Sequence, residues 1–270
     1  MKTILSIFIF LLSQNSTAQT TIATTLKLYK KVPIVATDFN VDQVGNIYAV
    51  SPTKQLKKIN EKGDSLAVYN LNKRYGKLTY IDVTNPLKVI LYYKDYSTAV
   101  IVDRLLNITN IIDLRKQNIY QVNAVTTSYD GQFWFYDEQE AKLKKINDKG
   151  KITQQSVDMR QVLNYMPSPL TIKENNLTVY LYDTKKGVVA FDYYGALKYQ
   201  LLLVGWSNFY AFNNYLYGVS NGSIVQYNIL TAATITTTLP VELANSKMIV
   251  AANKIYFLLA NEIQIYYNQE

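Results

Sequence analysis

The chain contains neither cysteine nor histidine. Without thiols it has no disulfide, so the fold must rest on its hydrophobic core alone. Without imidazole and thiolate it cannot assemble a Ser-His-Asp triad, a cysteine nucleophile, or the nitrogen and sulfur sites that zinc and copper favour. Hard-cation binding on oxygen ligands and acid-base work by carboxylates remain open. Six prolines and ten glycines in 270 residues are too few for a low-complexity or disordered chain.

Long apolar runs are also missing. The longest is Ile4 to Leu12, behind a basic start at Lys2 and ahead of Ser16-Thr17-Ala18. Nine residues of helix reach about 14 Å, roughly half a hydrocarbon core, so the pattern predicts a signal peptide over residues 1–18 rather than a membrane span. No cysteine follows the run, which argues against a lipid anchor. An exported domain over residues 19–270 is therefore expected, periplasmic or extracellular, and large enough to build one all-β core. Losing Lys2 takes the formal charge from +8 to +7. In an exported protein that excess points to anionic lipid, polyanionic glycan or an acidic protein. Nucleic acid is not expected, because export separates the two and the basic residues are scattered.

What the chain does have is tyrosine, 24 of them, a residue that suits pleated, half-buried surfaces where the ring packs and the hydroxyl reaches water. It also repeats itself. "LKKINEKG" (Leu56 to Gly63) returns as "LKKINDKG" (Leu143 to Gly150), and an apolar residue followed by Asn or Asp recurs at Asn60, Asp103, Asn147, Asp192, Asn228 and Asn268, at intervals of 43, 44, 45, 36 and 40. Gly63, Gly150 and Gly195 stand three residues after their Asn or Asp, which is turn chemistry. Upstream of each mark lies a β-branched and aromatic run: "NIYAV" at 46–50, "VILYY" at 89–93, "FWFY" at 133–136, "VYLYD" at 179–183, "YLYGV" at 215–219 and "IYFLL" at 255–259. First and fourth strands flank these, so each period holds four short strands. That is the pattern of a β-propeller blade, and six periods predict six blades. The competing architectures are an open β-sandwich or an incomplete solenoid.

The sixth period ends two residues after Asn268 and lacks a fourth strand. The alternating segment Thr20 to Val32 is left over at the other end, so it is expected to complete the last blade and remove the open edge. With "DQVGNIY" at Asp42 to Tyr48 reading as a first turn and second strand, the mature chain resembles exported bacterial six-bladed propellers of NHL and YWTD blade type. That resemblance implies a fold. Propellers include enzymes, receptors and scaffolds alike.

Two sets of candidate residues stand out. The connections between blades carry Arg74, Tyr75, Arg115, Tyr120, Arg160, Tyr165 and Trp206, and a loop between second and third strands adds Tyr96. Tyr, Trp and Arg are enriched where interfaces hold their energy, so these predict an aromatic and basic rim. The second set is acidic: Asp95, Asp137, Glu138 and Asp183 fall in loops after second strands, where a calcium-type site at the channel mouth could form, although no spacing matches a dense ligand loop. "SYDGQFW" is one residue short of the Asp box that sialidases carry, and reads as a hairpin turn at Asp130-Gly131 with Trp134 packed in the blade.

The function expected from these residues is a non-enzymatic, monomeric, protein-binding propeller of the cell envelope. It would use the rim, hold no cofactor, and sit against an outer-membrane secretion or assembly complex. The alternative is a glycan-binding propeller, or one hydrolysing glycans or lactones, with carboxylates at the channel mouth.

Overall fold

A computed structural model describes residues 26–70 and 73–268. The segment expected to be a signal peptide, and the start of the leftover N-terminal segment, lie outside the described residues. The strands are β1 (Leu28–Pro33), then four in each of the first five blades and three in the sixth. Blade one holds β2 (Asp38–Val41), β3 (Ile47–Val50), β4 (Gln55–Ile59) and β5 (Ser65–Asn70). Blade two holds β6 (Leu78–Asp82), β7 (Val89–Tyr93), β8 (Thr98–Val102) and β9 (Ile108–Asp113). Blade three holds β10 (Val122–Thr127), β11 (Phe133–Asp137), β12 (Lys142–Ile146) and β13 (Ile152–Gln155). Blade four holds β14 (Thr171–Asn175), β15 (Thr178–Asp183), β16 (Gly187–Asp192) and β17 (Leu197–Leu201). Blade five holds β18 (Ser207–Phe212), β19 (Tyr215–Ser220), β20 (Ser223–Asn228) and β21 (Thr234–Thr238). Blade six holds β22 (Lys247–Ala251), β23 (Lys254–Leu258) and β24 (Glu262–Tyr267).

Blade six is completed by β1, in the order β1-β24-β23-β22, so the expected closure by the N-terminal strand is what the structure shows. Leu28 pairs with Tyr266 and Pro33 with Glu262, antiparallel, with a bulge between Leu28 and Lys30. Val32 is buried there among Phe39 and Ile47 of blade one and Ile263 and Ile265 of blade six. Lys31 reaches Glu262 at 3.1 Å. Two groups of blade six, Lys254 Nζ and Tyr256 OH, also donate to Glu61 in blade one, at 2.7 and 2.8 Å.

The second strands are buried on both faces because each blade is sandwiched between two others. In β7, Val89, Leu91 and Tyr93 pack against blade one, and Ile90 and Tyr92 pack against blade three. The period of two in side-chain direction thus feeds two different cores. Six hydrophobic clusters occupy the six blade interfaces. Many tyrosines go deeper than a half-buried surface. Tyr48, Tyr136, Tyr182 and Tyr256 are nearly or wholly inaccessible. Their hydroxyls bond to Asp42, to the Pro167 carbonyl, to the Trp206 N–H and to Glu61 respectively.

The repeated octet now has a physical cause. Each Asn or Asp mark follows or ends a third strand, and in the first five the side-chain oxygen accepts two downstream backbone N–H groups. Asn60 takes those of Lys62 and Asp64, Asp103 those of Leu105 and Asn107, Asn147 those of Lys149 and Lys151, and Asp192 those of Tyr194 and Ala196. Asn228 does the same for Leu230 and Thr231. Gly63, Gly150 and Gly195 take the positive φ that these turns require, between 76° and 92°. The second lysine of "LKKIN" sits opposite the aromatic residue of the second strand, Lys58 beside Tyr48 and Lys145 beside Trp134. The ammonium groups lie 5.1 and 4.9 Å from those ring centres, within cation–π range. Part of the basic excess is therefore internal. Among the described residues no helix is long and apolar enough to cross a membrane.

Candidate functional site

In a four-stranded antiparallel blade, the loops after second strands and the connections between blades leave by the same end. The rim residues predicted from sequence therefore share one face, but their surroundings differ. Tyr75 and Trp206 are buried, at 8% and 5% exposure, and do not belong to a binding surface. Tyr75 packs against Tyr93 at 5.4 Å, and Trp206 lies over Gly218, where any Cβ would come within 2.3 Å of the indole. Arg115 and Arg160 are bound by the aspartates two residues before them, Asp113 at 2.8 Å and Asp158 at 2.7 Å. Those pairs raise each guanidinium's pKa further and hold each carboxyl below its usual range. Arg74 lies 5.9 Å from the ring centre of Tyr75, and Lys186 lies 4.8 Å from that of Tyr165. Tyr96 and Tyr120 remain as the exposed rings, near 50% each.

The acidic set does not converge, and only Asp95 and Glu138 lie in the predicted loops, since Asp137 and Asp183 end the second strands β11 and β15. Asp95 accepts the N–H of Lys77. Asp137 is buried and paired with Lys144 at 2.7 Å, and Lys144 bonds Glu140 as well at 2.9 Å. Asp183 accepts the N–H groups of Ser168 and Lys185. Glu138 is half-buried. No group of three His, Cys, Asp or Glu positioned for a metal occurs among the described residues. Asp130-Gly131 forms the expected hairpin turn, and Trp134 is buried with its Nε1–H donated to Glu174 of blade four at 2.7 Å.

The polar cavity lies elsewhere, in the central channel. First strands line it, and alternate positions there bring Asp38, Asn40, Tyr80, Asp82, Lys173, Asn208, Tyr210 and Lys247 together around a hollow of about 230 Å³. A second hollow of about 370 Å³ shares Asn40, Lys173 and Tyr210 with it, so the two form neighbouring parts of one lumen.

Most of these polar groups clasp one blade to the next. Asn40 donates to the Ile81 carbonyl at 2.7 Å, and Lys247 pairs with Asp38. Asp82 accepts from Thr126 and Thr127 at 3.0 and 2.7 Å. Asn208 accepts the Met248 N–H at 3.1 Å. Three polar ends are different. Lys173 Nζ and the hydroxyls of Tyr80 and Tyr210 make no hydrogen bond or ion pair among the described residues. The Lys173 ammonium lies 5.0 Å from the ring centre of Tyr210.

Burial lowers the Lys173 pKa from 10.5; Asp82 opposes that shift and Lys247 adds to it. Burial, with Asp38 and Asp82 adding to it, holds the Tyr210 hydroxyl protonated well above its usual range. Burial, then Glu138, raise the Tyr80 pKa as well. The channel therefore offers an amine whose pKa is lowered and two phenols whose pKa values are raised. None of the three was among the residues singled out from sequence. Their signal was present as polar residues at every second position of first strands, in Asp38/Asn40, Thr171/Lys173 and Asn208/Tyr210.

No family model and no curated protein matches the chain. Solved structures do match, over nearly its whole length. The chain is similar to a catalytically inactive histidine-to-alanine variant of virginiamycin B lyase from Staphylococcus aureus with quinupristin, at 16% identity and a TM-score of 0.60, covering 89% of each chain. It is similar to a streptogramin B lyase at 12% identity and 0.60, covering 91% of this chain and 87% of that one. It is also similar to the WD40 domain of Neurospora crassa Pan2, at 9% identity and 0.60, covering 91% and 96%. At these identities the likeness shows the propeller fold. It overturns the expectation that the chain is not an enzyme, since lyases are built on this same ring.

Proposed function

We propose that the chain is a small-molecule enzyme of the propeller class, and that it opens a compact ring ester or sugar-like molecule held in the central channel. The observation that carries this reading is the unengaged trio of Lys173, Tyr80 and Tyr210. All three residues are partly exposed to the channel, and polar groups left unpaired in a cavity are candidates for substrate contact. In this reading Lys173, in its neutral form, takes a proton from the substrate or from a water beside it. The Tyr210 hydroxyl donates to the substrate carbonyl and stabilises the charge that develops on oxygen. One matched lyase is inactive once a histidine is replaced, and this chain has no histidine. Its chemistry must therefore run on other groups, and an amine of lowered pKa is the base the channel supplies. The carboxylate site at the rim, expected from sequence as the seat of such activity, is replaced in this reading by the channel.

The test is turnover of a panel of γ-lactones, oligosaccharides and quinupristin, followed by mass spectrometry of ring opening or chain cleavage. Wild-type protein is expected to process at least one of the panel. Lys173→Met is expected to lose roughly 100-fold or more, and Tyr210→Phe less, in line with a general base and a single donor. Turnover that survives Lys173→Met unchanged would remove the channel from the chemistry.

The basic and apolar start at residues 1–18 supports a further proposal, that the mature protein is exported and begins at Gln19. N-terminal sequencing of protein recovered outside the cytoplasm checks it. A retained Met1 would refute cleavage.

A further inference from the structure

The channel lysine has a second capacity, and it concerns bond formation. It rests on the reading that the central channel is the substrate site. We infer that Lys173 is a nucleophilic amine that captures an aldehyde or ketone as a Schiff base within the channel, so that the ligands of this protein include carbonyl compounds of small size.

Geometry carries the inference. Lys173 lies on β14, the innermost strand of blade four, and lines both hollows, so a small molecule in either one meets it. The charged and titratable groups facing it come from four other blades: Asp38 from blade one, Tyr80 and Asp82 from blade two, Tyr210 from blade five and Lys247 from blade six. The acids among them are already engaged. Asp38 is paired with Lys247, and Asp82 accepts from Thr126 and Thr127. Glu174, next in sequence, is turned away to the Trp134 indole and the Tyr129 N–H. No carboxylate therefore forms an ion pair with the amine. Desolvation and a neighbouring ammonium are the two devices known to make a lysine nucleophilic, and both act here. The buried lysines among the described residues are all engaged: Lys58 donates to the Arg104 carbonyl at 3.1 Å. Lys144 is paired with Asp137 and Glu140, and Lys145 with Asp130.

The step balances without any further reagent. The Nζ lone pair attacks the carbonyl carbon, and the C=O π electrons go to oxygen, which takes up a proton. The resulting carbinolamine loses that oxygen as water, with the second proton passing through Tyr210 or Tyr80, and the C=N bond forms. Amine plus carbonyl gives imine plus one water.

The experiment treats the full protein with glyceraldehyde and cyanoborohydride, which reduces the imine to a stable secondary amine, and maps the modified lysines by peptide mass spectrometry. At pH 7.5 Lys173 is expected to be modified faster than the exposed Lys54 and Lys62, about tenfold for each unit by which its pKa is lowered. That preference should shrink as the pH approaches 10.5, where ordinary lysines are also neutral. Lys247→Met, which removes the adjacent like charge and frees Asp38, is expected to slow modification of Lys173 and leave Lys54 and Lys62 unchanged. Modification of Lys173 no faster than theirs would overturn the inference. The two readings fail separately. Ring-ester turnover lost in Lys173→Met without selective trapping leaves the base and removes the imine, and selective trapping without turnover of the panel does the reverse.

Discussion

A cation held in a channel without a partner is a burden on the fold. Lys173 binds its proton less tightly in the folded state than in the unfolded chain, because burial lowers its pKa. Its penalty is therefore present in full below the lowered pKa, shrinks as the pH rises from there, and is gone above 10.5. Lys173→Met is expected to stabilise the protein by on the order of 1 kcal/mol at pH 7, the low end for an unpaired polar group because the side chain still meets channel water. Thermal unfolding at pH 7 and pH 10.5 checks this, and the gain should be smaller at the higher pH. A destabilised variant would mean that the amine has a structural partner. A stabilising substitution that abolishes activity is the usual mark of a functional site. This residue was hard to find in the sequence for a physical reason. Lysine at alternate strand positions reads as a solvated face, and only ring closure turns six such faces inward. Tyr75 and Trp206 misled in the opposite sense, since a bulky ring in a connection between blades can pack beneath it.

Strands and turns were far more legible. "VILYY" at 89–93 coincides with β7, and "FWFY" at 133–136 falls inside β11, because double burial enforces an apolar run bounded by turn residues. The recurring Asn or Asp was also legible, since one side-chain oxygen serving two backbone N–H groups is a local device that needs no distant partner. Local origin makes it testable in isolation. Asn147→Ala removes both bonds from the β12–β13 turn and is expected to cost about 1 kcal/mol, by analogy with loss of a helix cap that serves similar orphan groups. Asn147→Asp keeps the acceptor and is expected to be close to neutral. Chemical denaturation of the two variants checks this, and equal losses in both would show that the amide's own donors matter more than its oxygen.

The whole molecule depends on its latch. Without residues 26–33, β24 becomes an open edge and the cluster around Val32 loses its cover. Removing them is expected to lower Tm by about 10 °C, since loss of Val32 burial alone is worth roughly 1.5–3 kcal/mol, with strand pairing besides. A monomeric truncation with unchanged Tm would disprove closure by β1. Acid should weaken the same place. Glu262 has its pKa lowered by the Gln264 amide and the Lys31 ammonium, so its contribution is present above 4.5 and lost as the pH falls through the lowered value. Hydrogen exchange is expected to show β1 amides opening earlier in acid than those of β7. Glu262→Gln should flatten that pH dependence, and an unchanged profile would place the sensitivity elsewhere.

The latch has a further consequence for the order of assembly. Leu28 is among the first described residues to be synthesised, and its partner Tyr266 is among the last. Five blades can therefore stack before the ring has any means of shutting. A ring built in this way stays open along one side until β24 has been made and β1 can pair with it.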